Sequence, residues 1–381
     1  MVGMVRVKPL CAILTIPTSF SQNRFQSVQE KLKPGKRSMS RRRRLVFRNR
    51  TFRRLWLAQT GSSLGDWFNQ VALATVILNL THSPTAIGLV LLCLDLPQAL
   101  FSFLAGPFLD RYSKRSLMYA SDIVRALVSS LFIWGTLQHQ MWAFYVGALC
   151  IGTASSVFVP TRNAVIPLVV SGEDLTEASS WSIATSGVLA IVGAALGGII
   201  TTLLYPVLAF LINSLSFLWS ASLIWITHWE EKGYEEPNAA VKPSYLRELK
   251  EGLQAVLQDR VVLALFGTSV AFALMSGPYF VIIPMLGDLT YHLGGLGIGL
   301  LYVADGLAFL LSAIVMDRVV GKRTNAAYIW YGTGFLIEAV FFVLLAFSSN
   351  IWAGSLGGIA GIGWWLASYR SQHFAIKQEL I

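Results

Sequence analysis

Residues 88–115 read GLVLLCLDLPQALFSFLAGPFLDRYSKR, and residues 299–323 read GLLYVADGLAFLLSAIVMDRVVGKR. Each stretch opens on Gly-Leu (Gly88, Gly299) and runs through an apolar segment holding one aspartate (Asp95, Asp305). Each closes on Asp-Arg followed shortly by Lys-Arg. An apolar run of about 20 residues is the length that carries a helix across a bilayer. Cations directly after such a run keep its loop on the inner side of the membrane. A segment repeated in this way is the sequence trace of a membrane fold assembled from two related halves.

Working outward from the repeat, apolar runs of spanning length predict about ten transmembrane helices. They cover 55–80, 84–109, 116–137, 141–169, 179–203, 205–228, 261–285, 294–316, 325–347 and 351–370. Turn residues separate them: Thr81-His82-Ser83-Pro84, Tyr205-Pro206 and Ser348-Ser349-Asn350. Composition agrees, with 54% hydrophobic residues, only 13% charged residues and a mean hydropathy of +0.58 over 381 residues. Soluble proteins carry about a quarter charged residues, and a soluble domain of this length could not hide so much apolar surface. The fold class expected is an all-α membrane protein, a helical bundle of six plus four spans.

The net charge of +10 comes from the N-terminal tail, where half of all Lys and Arg precede Trp56 and Glu30 is the only acid. Because this tail abuts the first apolar run, it reads as an anchor against anionic lipid headgroups. Nucleic acid is not the partner expected, since no reading module accompanies the basic patch. Residues 1–38 hold one short apolar stretch, Leu10–Ile16, and are either an upstream extension ahead of Met39 or an acid-poor transit peptide.

Loop charge sets the orientation. Arg111, Lys114 and Arg115 follow the second span, Lys232, Lys242, Arg247 and Lys250 the sixth, and Arg318, Lys322 and Arg323 the eighth. Loops after odd spans carry almost no cations, so both termini and every even loop are expected in the cytoplasm, with the chain in the cell (inner) membrane. The organisation expected is a basic tail at 1–50, a six-helix bundle at 51–229, a cytoplasmic linker at 230–260 and a partial four-helix bundle at 261–381. The linker contains Pro237 and Pro243 and ends in the amphipathic run LRELKEGLQAVLQD.

GPFLDRYSKR, Gly106 to Arg115, fits the G-x-x-x-D-R-x-x-R/K-R/K signature between the second and third spans of major facilitator superfamily transporters. Further stretches are similar to the macrolide-efflux and enterobactin-exporter branch of that superfamily. They are Ser62–Asp66 (SSLGD), Asp122–Ala126 (DIVRA), Pro160-Thr161-Arg162 with Ile166-Pro167, and ELKEGLQAVLQD. The resemblance covers about residues 50–370 and implies a gate motif made of Gly106, Asp110, Arg111, Lys114 and Arg115. Gly106 would allow close helix approach, and Asp110 would accept hydrogen bonds from a neighbouring helix end or an arginine. Arg111, Lys114 and Arg115 either latch the gate or set topology alone.

Two departures qualify what the resemblance implies. GAALGG, Gly193 to Gly198, resembles the antiporter motif G-P-x-x-G-G with Ala194 in place of proline. Close helix packing through Gly193, Gly197 and Gly198 is still expected, but without a proline kink. The family fold has twelve spans, and the sequence ends at Ile381 after the tenth expected here. Either the reading frame is interrupted or the ten spans form a reduced protein.

Ionisable residues at bilayer depth are costly unless paired or hydrated, which makes each a functional candidate. Asp66 lies roughly 16 Å into the first span at 1.5 Å per residue. It is either a proton carrier or a helix-packing group beside Gly65. Asp95, Asp305 and Glu338 complete the candidate proton or substrate sites, with Glu338 alternatively protonated against lipid. Asp122 and Arg125, three apart on one helix, are expected to form a structural ion pair. Trp56, Trp67, Trp142, Trp229 and Trp352 are expected in interfacial belts, while Trp364 and Trp365 either line a pocket or pack against lipid.

No catalytic constellation or cofactor site is expected. The histidines His82, His139, His228, His292 and His373 lack metal spacing, and Cys11, Cys93 and Cys150 form no CxxC pair. No GxxxxGK[ST] segment is present to hydrolyse ATP. The resemblance implies a proton-coupled efflux antiporter for a small amphipathic compound such as a drug, macrolide or siderophore. The partners expected are therefore the lipid bilayer, a small-molecule substrate and protons. The other reading is a transport-incompetent derivative of such a protein, serving as a partner subunit.

Overall fold

The structure is a computed structural model that describes residues 45–102, 112–170, 172–229 and 277–319, with single positions at 254 and 263 and a few between 340 and 355. All regular structure among the described residues is helical. A short turn α1 (Leu45–Arg48) precedes α2 (Arg50–Thr81), α3 (Pro84–Ser102), α4 (Lys114–Leu137), α5 (Met141–Val169), α6 (Leu175–Leu203) and α7 (Pro206–Trp225). Helix α8 (277–284) continues into a π-helical turn, Met285–Thr290, and α9 runs from Gly294 to Val319. Six of these helices are long and apolar enough to cross a membrane: α3, α4, α5, α6, α7 and α9.

Helix ends fall where local chemistry puts them. Asn49 caps α2 by accepting a hydrogen bond from the Phe52 amide at 2.9 Å, and α2 stops at His82, whose φ of 50° is left-handed. Pro84 opens α3 and Pro206 sits at the first position of α7, where a missing N–H leaves no bond unmade. The expected span 141–169 coincides with α5, and the other span limits in 55–228 that fall on described residues agree within about five residues. Residues 103–109 of the second expected span, and most of the seventh, ninth and tenth, lie outside the described residues.

Helix α2 is the longest of the described helices, at 32 residues, and its middle carries Asp66, Asn69 and Gln70. Polar groups at this depth are tolerated when a helix is enclosed by others instead of lipid. Helix α2 packs against α6 and α7, and through Val71 and Ala74 it meets Tyr279 and Ile283 of α8 and Leu301 and Tyr302 of α9. A second cluster fills the end near His82, where Phe132, Phe144 and Phe210 bring together α4, α5 and α7 with ring centroids 5.6–6.5 Å apart.

The opposite end carries Arg48, Arg54, Lys114 and Arg115 and is called the basic end below. There the entry to α2 is tied to the turn between α5 and α6. Arg48 pairs with Asp174, the Leu45 amide donates to Glu177 Oε1 at 3.2 Å, and Asn49 Nδ2 donates to the Val169 carbonyl at 2.7 Å.

Helices α6 and α9 meet backbone to backbone. A Cβ on Gly198 would lie 2.8 Å from the Gly295 carbonyl, and one on Gly299 would lie 2.6 Å from the Ala194 carbonyl. Gly193 and Gly197 sit on a different face of α6, against Trp67 and Phe68 of α2. The small residues of GAALGG therefore serve two contacts, one toward α2 and one toward α9.

Candidate functional site

The site is organised by α2. Gly65 is buried against Asn213 and Ser216 of α7, with no room for a side chain. One residue on, about 100° around the helix, Asp66 is exposed. Its carboxylate makes no hydrogen bond or ion pair among the described residues, yet the charges of Arg125 and Asp122 act on it.

Asp122 and Arg125, one turn apart on α4, are ion-paired and buried. The Ser220 hydroxyl of α7 donates to the other Asp122 oxygen at 2.6 Å. The Arg125 guanidinium is held between Phe158 and Phe217, 4.0 and 4.5 Å from the ring centroids. Each charge is thus neutralised within the apolar interior, and the rings fix the cation in place.

Arg162 of α5, from the stretch Pro160-Thr161-Arg162, joins this group. Its guanidinium donates to Asn163 Oδ1 at 2.9 and 3.3 Å, forms no ion pair among the described residues, and feels the charge of Arg125. The available signal was an arginine seven residues before the end of an apolar span. It also lines a small apolar pocket with Phe52, Trp56, Met118 and Phe158.

A second polar centre lies where α2 meets α8 and α9. The Tyr279 hydroxyl is hydrogen-bonded to Asp305, while the buried Tyr302 hydroxyl makes no hydrogen bond among the described residues, with Gln70 near it. Trp67 packs edge-on against Tyr302 with centroids 5.7 Å apart, and Phe280 lies 6.2 Å away. Asp305 is therefore partnered from a neighbouring helix, a contact with no trace in its local sequence. Asp95, at the middle of α3, is exposed and makes no hydrogen bond or ion pair among the described residues.

The remaining candidates divide by position. Gly106, Asp110, Arg111 and Glu338 lie outside the described residues. Lys114 and Arg115 begin α4, and Arg115 donates to the Trp225 carbonyl with its guanidinium 5.4 Å from the Trp225 ring centre. Trp67 corrects the expected aromatic belt: it packs at mid-helix against Gly193 and Tyr302, because α2 is enclosed and has no lipid to anchor in there. Trp142 is half exposed at the far end and packs at a tilt against Trp134, with ring centroids 5.3 Å apart.

An all-helical membrane-spanning bundle with glycine-mediated helix contacts and charged groups held inside it defines a polytopic membrane protein of the carrier type. The chain belongs to the Major Facilitator Superfamily, whose family model matches residues 55–376. Among its relatives is the MFS-type transporter YfiS of Bacillus subtilis, 26% identical over 77% of this chain and 69% of that protein. Macrolide efflux protein A of Streptococcus pyogenes is 22% identical over 62% of this chain and 58% of its own. The staphyloferrin A transporter of Staphylococcus aureus is 21% identical over 72% and 68%. The matches thus span roughly six- to seven-tenths of these relatives' lengths. Among solved structures, the nucleoside transporter NupG shares the fold with a TM-score of 0.64 at 12% identity, over 86% of this chain and 83% of that one. A bacterial homologue of ferroportin in an inward-facing state gives 0.58 at 15% identity, over 87% and 84%.

Proposed function

We propose that this chain exports a small amphipathic compound across the cell (inner) membrane in exchange for protons. The observation that carries the reading is Asp66: an accessible carboxylate in the middle of α2, without a hydrogen bond among the described residues, within the field of a buried Asp–Arg pair. When ionised, Asp66 competes with Asp122 for the charge of Arg125; when protonated, it exerts no such pull. Proton occupancy thereby changes the electrostatic balance of the bundle, which is the differential interaction a coupled conformational change requires. The names of two relatives, a macrolide efflux protein and a staphyloferrin A transporter, support a drug, macrolide or siderophore as cargo.

In this reading residues 51–229 and 261–381 rock against each other, joined by the linker 230–260. The contacts of α6 with α9 through Gly198 and Gly299 form the pivot. Trp67, Gln70, Tyr279, Tyr302 and Asp305 offer apolar rings and hydrogen-bonding groups to the cargo between the two sets of helices. Both termini and the basic end face the cytoplasm, and the gate motif acts there. The test is dye or erythromycin efflux from energised, reconstituted vesicles with Asp66→Asn. The proposal predicts that the variant loses its dependence on the pH gradient while still binding erythromycin. Unchanged gradient-driven efflux would remove Asp66 from its role.

A further inference from the structure

Among the described residues, no acid pairs with Arg162 of α5. Its Nε and Nη2 donate to Asn163 Oδ1, while the N–H groups of Nη1 make no hydrogen bond there. Asp122 is committed to Arg125 and Ser220, Asp174 pairs with Arg48, and Glu177 accepts from the Leu45 amide. The charge that bears on Arg162 is that of Arg125, of like sign. A cation held among apolar groups is costly until a counter-charge meets it.

Arg162 lines an enclosed cavity of about 20 Å³ toward the basic end. That is room for one water-sized particle. We infer that this cavity binds one chloride ion.

The wall has the chemistry of an anion site. Gln59 of α2 and Ser182 of α6 reach it from two further helices, and neither side chain makes a hydrogen bond among the described residues. Guanidinium, amide and hydroxyl together supply N–H and O–H donors, and no lining residue is acidic. Met118, Phe158 and Val165 close the wall with apolar groups. The Phe158 ring also lies 4.0 Å from the Arg125 guanidinium, so the cavity borders a second cation. A water would meet the donors but leave the charge of Arg162 unbalanced; a halide does both.

Size and position separate this site from the cargo path. The cavity is too small for a drug or siderophore, and every lining residue belongs to α2, α4, α5, α6 or α7. The ion thus needs no group from α8 or α9, and serves as a bound counter-charge inside residues 51–229.

The experiment is the thermal unfolding midpoint of the purified full chain in detergent, titrated from gluconate to chloride at constant pH and ionic strength. Gluconate is too large to enter. The wild-type midpoint is expected to rise saturably with chloride, by about 2–4 °C. Arg162→Gln should lose that response. Ser182→Leu fills the cavity, leaves Arg162 in place and should lose it too, so the assignment stays testable if Arg162→Gln fails to fold. A wild-type midpoint equal in the two salts would overturn the proposal. A full chloride response in Arg162→Gln or in Ser182→Leu would also overturn it, by placing the ion elsewhere.

Discussion

Asp122 and Arg125 form an ion pair inside the bundle whose second acid oxygen is occupied by Ser220 and whose cation is clamped by Phe158 and Phe217. Removing one partner of such a pair leaves a bare charge in an apolar interior, a cost of about 3–5 kcal/mol. Asp122→Ala should therefore lower the thermal unfolding midpoint in detergent sharply. The double variant Asp122→Asn with Arg125→Met should recover part of the loss, because it leaves no unpaired charge. An Asp122→Ala protein as stable as wild type would contradict the pairing.

Backbone contact between α6 and α9 makes a second prediction. A side chain at Gly299 meets the Ala194 carbonyl, and one at Gly198 meets the Gly295 carbonyl. Gly299→Val should force the helices apart at a cost of about 1–3 kcal/mol, the usual penalty of overpacking. Cysteine cross-linking between flanking positions on the two helices should slow accordingly; an unchanged rate would show that the contact is not maintained.

At the end opposite the basic one, Asp288 lies in the turn after α8, outside the membrane-spanning segments. Partial burial raises its carboxyl above the ordinary value of 3.8, against the opposing charges of His82 and His292. A carboxyl raised on folding stabilises most when protonated, and that stability is lost as pH rises through the folded value. Asp288→Asn should therefore raise the unfolding midpoint near pH 7 and make little difference below the unfolded value near 4. A variant less stable than wild type at pH 7 would show that the histidines' attraction outweighs burial.

Much of the fold was legible in the chain because a bilayer enforces continuous apolar runs and loop charges. Helix α5 falls on its expected limits, and the Asp122–Arg125 spacing of one helical turn made their pairing readable. Partners from distant helices were not readable. The hydrogen bond from Tyr279 to Asp305, the packing of Trp67 on Tyr302, and the nearness of Arg162 to Arg125 all depend on how helices are arranged. Gly193 and Gly198 show the same limit. Their small size announced close packing, but only the assembled bundle assigns one to α2 and the other to α9.

The central claim is proton exchange through Asp66. The most direct measurement places the pH dye pyranine inside proteoliposomes and imposes an erythromycin gradient without any initial pH gradient. The account predicts that erythromycin flux in one direction drives protons in the other, and that Asp66→Asn abolishes the proton signal while the chain remains folded. Proton movement undiminished in Asp66→Asn, or erythromycin flux in wild type with no proton movement, would contradict it.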